Sequence, residues 1–177
     1  MPTGTAFASK LNEQVANEFA AHQQYVACAI YYESETLPQL AAFFYRQALE
    51  ERGHAMMMVQ YLLETGAEAI TPGVAAPRTS FADVVAPVAL ALEQEQRVSE
   101  QINQLAAVAR QEGDYASEQF LQWFIAEQIE EVATMSDLLA VASRSRERVA
   151  EIEDFLAREQ PGGEGPDPAA PRAAGAV

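Results

Sequence analysis

The sequence predicts an all-α protein: a four-helix bundle with a long crossover between the second and third helices and a short fifth helix. Three observations predict it. Four long stretches carry apolar residues at alternating steps of three and four, the spacing of one buried helix face. The link after the second stretch is long enough to return the chain to the opposite end of a bundle. And 177 residues with 49% apolar content suffice for one domain with a real core.

The first helix is expected from Thr5 to about Ser34, with a seam of Leu11, Val15, Glu18, His22, Tyr25, Ala29 and Tyr32. Glu18 interrupts this apolar stripe, and Tyr25 follows on the same face roughly 10 Å along the axis. His22 is read as packed or hydrogen-bonded. Thr36 is the expected N-cap of the second helix, and Pro38 stands where the first turn tolerates it. This helix runs to about Thr65, with Gly66 as its C′ residue. Its stripe is Leu40, Phe44, Gln47, Glu51, His54, Met58 and Tyr61. Met56, Met57 and Met58 are read as packing residues.

Gly66 to Ser80 contains Pro72, Gly73 and Pro77 and reads as non-helical. The second helix spans roughly 42 Å, and fifteen extended residues reach about 50 Å. The loop can therefore carry the chain back, which makes the second and third helices parallel. The third helix is expected from Phe81 to about Gln111, bent or restarted near Pro87, with Val88, Ala91, Glu95, Val98, Ile102, Leu105 and Ala109 as its seam. Gly113-Asp114 turns the chain. The fourth helix, Tyr115 to about Ala142, has a seam of Leu121, Phe124, Gln128, Glu131, Met135, Leu138 and Ala142. Ser145 to about Arg158 is a short fifth helix, and Pro, Gly and Ala dominate from Gln160 onward, so residues 160–177 are expected to be a disordered tail.

The chain carries 26 acidic against 11 basic residues, a formal charge of −15, with Lys10 its single lysine. Such a surface repels nucleic acid and anionic membrane and attracts cations. One cysteine, Cys28, rules out an internal disulfide, fits a reducing compartment and is read as a packing residue. Met1–Ala20 lacks a basic start followed by an apolar run, and no stretch suffices to span a bilayer. A cytoplasmic protein without nucleic-acid or membrane partners is expected. CxxC, P-loop and GxGxxG motifs are absent.

The chemistry lies where polar residues break the buried stripes. Glu51 and His54 are three residues apart, so they share a helix face and can hold one metal ion together. A Glu-x-x-His on a solvated face would be an ordinary polar pair, but this one lies on the apolar stripe, where charge is costly unless paired or metal-bound. Glu18, Glu95, and Gln128 with Glu131 make the same interruption on the other three helices, all near mid-helix. They therefore converge at one depth whichever way each helix runs. A buried polar network used for register is the alternative, but four buried carboxylates repel and need protons or cations. Oxygen-rich ligation with one imidazole suits iron or manganese better than zinc.

At these residues the chain resembles the ferritins, specifically the bacterial non-haem type. Two lone glutamates and two Glu-x-x-His motifs mark ferritin-like di-iron bundles. Here the second motif reads Gln128-x-x-Glu131, a departure shared with ferritins and not with bacterioferritins. Phe120-Leu-Gln-Trp123-Phe-Ile-Ala-Glu127-Gln128-Ile-Glu130-Glu131 is similar to the family's fourth helix. The resemblance implies a ferritin-like domain over residues 1–159 followed by the tail. It implies a homo-oligomeric, hollow shell of 24 subunits acting as a ferroxidase: Fe(II) is oxidised with O2 or H2O2, and Fe(III) mineral is stored inside. Carried over by position, Glu18, Glu51 and His54 would hold the first iron. Glu51 would bridge to a second iron held by Glu95 and Glu131, with Gln128 alongside. Glu50, Glu127 and Glu130, with Glu131 as a bridge, match the third iron site of some bacterial ferritins. Tyr25 and Trp123 match aromatic residues beside the centre. Arg52 stands where bacterioferritins place the haem-ligating methionine, so no haem is expected. Asp114 and Glu118 are expected either to start the fourth helix or to guide cations. Two relatives of other function are the alternatives. A DNA-protecting mini-ferritin would lack the fifth helix and often bears a lysine-rich tail. A di-iron redox or peroxidase enzyme of the rubrerythrin kind would carry a cysteine-rich module.

Overall fold

The computed structural model describes residues 5–162 and 167–175. Thr5 starts the first helix, α1 (Ala6–Ser34): its hydroxyl accepts the Ala8 N–H at 3.1 Å, satisfying one of the donors that a helix start leaves unpaired. Glu112, at the far end of the chain's third helix, accepts two more, from Ala6 and Phe7. The second helix, α2 (Pro38–Glu64), has Pro38 in its first turn and ends before Gly66, whose φ of 73° needs no Cβ penalty. Thr36 is not its N-cap. Thr36 sits at φ 61° in the α1–α2 turn, and the donors of Gln39 and Leu40 are each held at 2.9 Å by the Glu153 carboxylate, 114 and 113 residues away.

The crossover lies along α1. Asn12 holds the Glu68 carbonyl and the Ile70 N–H at 2.8 Å, and Gln24 holds the Arg78 carbonyl at 2.8 Å and its N–H at 2.9 Å. These two amides are roughly 18 Å apart along the helix, so the loop covers most of the distance back to the other end. The third helix, α3 (Ala86–Glu112), begins at Ala86 with Pro87 in its first turn and not at Phe81, because Pro serves at a helix start and breaks an interior. Gly113, at φ 68°, closes it, and Asp114 caps the fourth helix, α4 (Tyr115–Arg144), by accepting from Ser117. The short α5 (Val149–Glu159) packs Ile152 and Leu156 onto α2 and α4. No strand occurs among the described residues. The all-α four-helix bundle with a short fifth helix is the fold observed.

The long helices pack in two antiparallel pairs, α1 with α2 and α3 with α4, with α1 also against α3. Tyr61, near the end of α2, stacks on Phe120, near the start of α4, so these two run antiparallel and α2 and α3 are parallel, as the long loop predicted. Buried apolar side chains form two clusters. One gathers Tyr25, Tyr32, Phe43, Phe44, Met135 and Leu138 at one end. The other gathers Leu11, Val15, Met58, Leu62, Ile102 and Leu121 at the other end. Each such side chain contributes on the order of 1.5–3 kcal/mol. Between the clusters lies a layer of buried polar residues.

The Glu153 contact sets an expectation for stability. Glu153→Ala leaves two α2 donors without their acceptor and should lower stability by about 1–2 kcal/mol, with Glu153→Gln losing less. Denaturant melts of both variants would show the graded loss if the carboxylate is a cap, and equal small losses if it is not.

Candidate metal centre

The polar layer is built by one or two residues from each long helix, at the height left between the two apolar clusters. Glu18 on α1 and Glu51 on α2 are each 1% exposed, His54 4%, Glu95 on α3 0%, and Gln128 and Glu131 on α4 6% and 5%. The stripe positions predicted from sequence thus bring all six to one depth.

On the α1–α2 side, Glu18, Glu51 and His54 each offer a ligand atom within 4.8 Å of the others. His54 Nδ1 lies 3.8 Å from a Glu51 oxygen and 4.0 Å from Glu18 Oε2, too far for hydrogen bonds and close enough to share a cation. Gln14 donates to Glu18 Oε1 at 2.7 Å and orients that carboxylate. Glu18 Oε2 and both Glu51 oxygens are buried without a hydrogen-bond partner. Buried acceptors left this way are costly, and a bound cation is the partner that two carboxylates and an imidazole fit.

On the α3–α4 side, Glu95 receives the Tyr25 hydroxyl on Oε1 and Gln128 Nε2 at 3.1 Å on Oε2. Gln128 is itself held by the Glu95 backbone carbonyl and the Ser99 hydroxyl. Burial, first, and then the charges of neighbouring carboxylates push Glu51 and Glu131 well above the ordinary carboxylate range. Glu95 is pushed up to about 7, chiefly by burial, against the lowering effect of its Tyr25 and Gln128 hydrogen bonds. Burial lowers His54, so its ring is held neutral and able to ligate. Burial and Glu95 hold the Tyr25 phenol far above its usual value, so it stays a donor.

A cavity of about 680 Å³ opens between α2 and α4 beside this layer, lined by Glu50, His54, Trp123, Glu127, Glu130 and Glu131 among others. Burial and then Glu127 push Glu50 up to about 7. Gln47 donates to Glu50. Trp123 stands edge-on to His54 with ring centroids 5.6 Å apart.

A ferritin-like domain matches residues 8–145 of the chain. The chain belongs to the ferritin family. It is similar to Ferritin BfrB of Mycolicibacterium smegmatis, 51% identical over 171 residues that cover 97% of this chain and 94% of that protein. It is similar to the bacterial non-heme ferritin of Staphylococcus aureus, 39% identical and covering 70% of this chain and 74% of the relative. In three dimensions this ferritin matches the open pore ferritin of Archaeoglobus fulgidus with a TM-score of 0.84 at 28% identity, over 91% of this chain and 99% of that one.

Several residues that shape this ferritin's layer were not assigned a role from sequence. Gln14 and Ser99 are off the predicted seams, and only their partners reveal them. Gln47 was legible as a break in the α2 stripe, but nothing local showed that its amide serves Glu50. Other expectations resolve more simply. The His22 ring Nδ1 lies 2.6 Å from the Ala48 carbonyl, a hydrogen-bonding distance, and Cys28 is fully buried with its thiol pushed up to about 12 by burial, as a packing residue would be. Asp114 caps α4, and Glu118 lies in its first turn and pairs with Arg110 of α3. Arg52 is exposed on α2, and no helix among the described residues is long and apolar enough to cross a membrane.

Proposed function

We propose that this ferritin oxidises Fe(II) at an intra-subunit di-iron centre and stores the Fe(III) product as mineral inside a hollow homo-oligomeric shell. The observation that carries it is the set of unpartnered buried oxygens on Glu18 and Glu51 beside a neutral His54. Iron is the substrate. Glu18, Glu51 and His54 hold one ion, Glu95 and Glu131 hold a second, and Glu51 reaches both. Gln128 and Tyr25 fix Glu95 by hydrogen bonds, so the second site is preorganised.

Carboxylates favour Fe(III) over Fe(II) and so favour oxidation. Two Fe(II) supply two electrons, which with two protons convert O2 to H2O2 or H2O2 to two waters. Glu50 and Glu95 lose protons near neutral pH, so metal binding itself releases protons at the site. Glu50, Glu127 and Glu130, with Glu131, form the acidic cavity wall that takes a third iron and receives the product. The ferritin-like domain is residues 1–159. The protein acts in the cytoplasm, without haem, nucleic acid or membrane. The packed α5 and the site's location inside one bundle support this over a DNA-protecting mini-ferritin, and the single cysteine disfavours a rubrerythrin-like enzyme.

Static light scattering with an iron titration tests both halves. About 24 copies of the 19.3 kDa chain make a particle on the order of 460 kDa. Rapid ultraviolet absorbance of ferric product should saturate at about two Fe(II) per chain. A particle of half that mass or less would overturn the shell, and slow, unsaturable oxidation would overturn the centre.

A further inference from the structure

The described tail residues, 160–162 and 167–175, form turns without helix or strand, and 163–166 and 176–177 of the expected tail lie outside the described residues. The described part runs close to the bundle at Gly162, Asp167 and Ala174. A Cβ on Gly162 would meet Gln47 Nε2 at 3.4 Å. Asp167 Oδ2 accepts the Trp123 indole N–H at 2.7 Å. The Ala174 N–H donates to the Met56 carbonyl at 2.9 Å. Gln47 and Met56 are nine residues apart on α2, roughly 14 Å along its axis. Glu50, Glu51 and His54 lie between them, and Trp123 faces them from α4. Gly162, Asp167 and Ala170 are themselves part of the cavity lining.

We propose that tail residues 167–174 form a strap across the mouth of the acidic cavity, with Asp167 as a positioning residue that holds Trp123 against His54. This rests on the metal-centre function proposed above. The half-buried indole stands edge-on to the imidazole, and both line the cavity, so swinging Trp123 aside would widen the way to the first metal position. The Asp167 carboxyl is held below its ordinary range, first by the indole N–H and then by the Ala169 N–H, so it is ionised and accepts both at neutral pH. Its hydrogen bond to Trp123 is exposed to water. An exposed anchor opens by local fluctuation far more readily than the bundle unfolds. The strap therefore slows, without preventing, the passage of cations between bulk water and the centre.

Trp123 is the single tryptophan of the chain, so tryptophan emission reports on the surroundings of this one indole. The probe is Co(II), which binds oxygen and nitrogen ligands without being oxidised by the site. Two full-length variants test the anchors: Asp167→Ala, and Asp167→Ala combined with Ala174→Pro, which also removes the donor to Met56. Metal-free protein is mixed with Co(II) in a stopped-flow instrument, and quenching of tryptophan emission is followed. Loading should be several-fold faster in Asp167→Ala and faster still in the double variant. The amount of Co(II) bound should not change. Emission of the metal-free variants should shift to the red, and acrylamide quenching should at least double. Equal rates with unchanged emission, or slower loading in the variants, would overturn the strap. If the parent protein itself binds no stoichiometric Co(II), the metal centre fails instead, and the two failures are told apart.

Discussion

Replacing Glu51 and His54 with alanine should lower rapid Fe(II) oxidation by more than about 100-fold, because loss of groups merely supporting a ligand already costs 10–100-fold, and these two are proposed as ligands themselves. In the proposed centre Glu51 reaches both metal positions, and His54 is the one nitrogen donor among the proposed ligands. The bundle should survive. Both Glu51 oxygens are buried without partners, and its charge is disfavoured by burial and by Glu95 and Glu18. Its removal takes a buried, unpaired carboxyl out of a crowded layer in the metal-free protein, offsetting a cavity cost of a few kcal/mol at most. Stopped-flow absorbance after adding two Fe(II) per chain, with calorimetry on the same metal-free samples, separates the outcomes. If oxidation persists within tenfold of the parent while the melting temperature collapses, the residues are a structural polar network and not a metal centre.

The metal-free protein should become more stable as pH falls from about 8 to about 5.5, by on the order of a few kcal/mol. Glu50 and Glu95 are raised to about 7 in the folded state, and Glu51 and Glu131 are raised well above the ordinary range. A carboxyl raised on folding contributes stability that is fully present below its unfolded pKa, near 4.5, and is lost as pH rises through the folded value. The window therefore opens near 4.5 and extends through 7. His54 works the other way. Its lowered pKa means that stability present above its unfolded pKa is lost as pH falls through the folded value, but one imidazole opposes four carboxyls. With metal bound the trend should reverse, because protons compete with the ion for the same oxygens. Calorimetry from pH 8 to 5.5, with and without Co(II), should give melting temperatures that move in opposite directions. Parallel curves would show that the carboxyls are neutralised by something other than protons or cations.

The helices and their buried faces were legible because periodicity is a local property, written at steps of three and four. The proposed metal centre was legible for the same reason in reverse. Glu18, Glu51, His54, Glu95, Gln128 and Glu131 are polar residues on apolar stripes, and burial makes such exceptions costly unless something compensates. Their common depth followed from counting along each helix, since mid-helix positions meet at one height in any bundle. The length of the crossover and the rise of α2 together determined that α2 and α3 run parallel.

What the chain could not show locally was which distant groups answer one another. Thr36 has the chemistry of an N-cap and a plausible place for it, yet Glu153, more than a hundred residues later, holds the α2 donors. Asn12 and Gln24 look like ordinary surface amides until the loop is laid along α1. Glu95 and Glu50 sit near neutrality because several helices crowd carboxyls into one dry layer, and no spacing within a single helix encodes that crowding. The tail reads by composition as unable to bury a core of its own, which is so, but composition carries no information on a surface that accepts it. Local spacing determined the helices, their inward faces and the polar residues on them that form the proposed ligand set, because those depend on residues a few positions apart. Only the tertiary structure decided the caps, the perturbed carboxyls and the Asp167–Trp123 contact, because each depends on groups brought together from far along the chain.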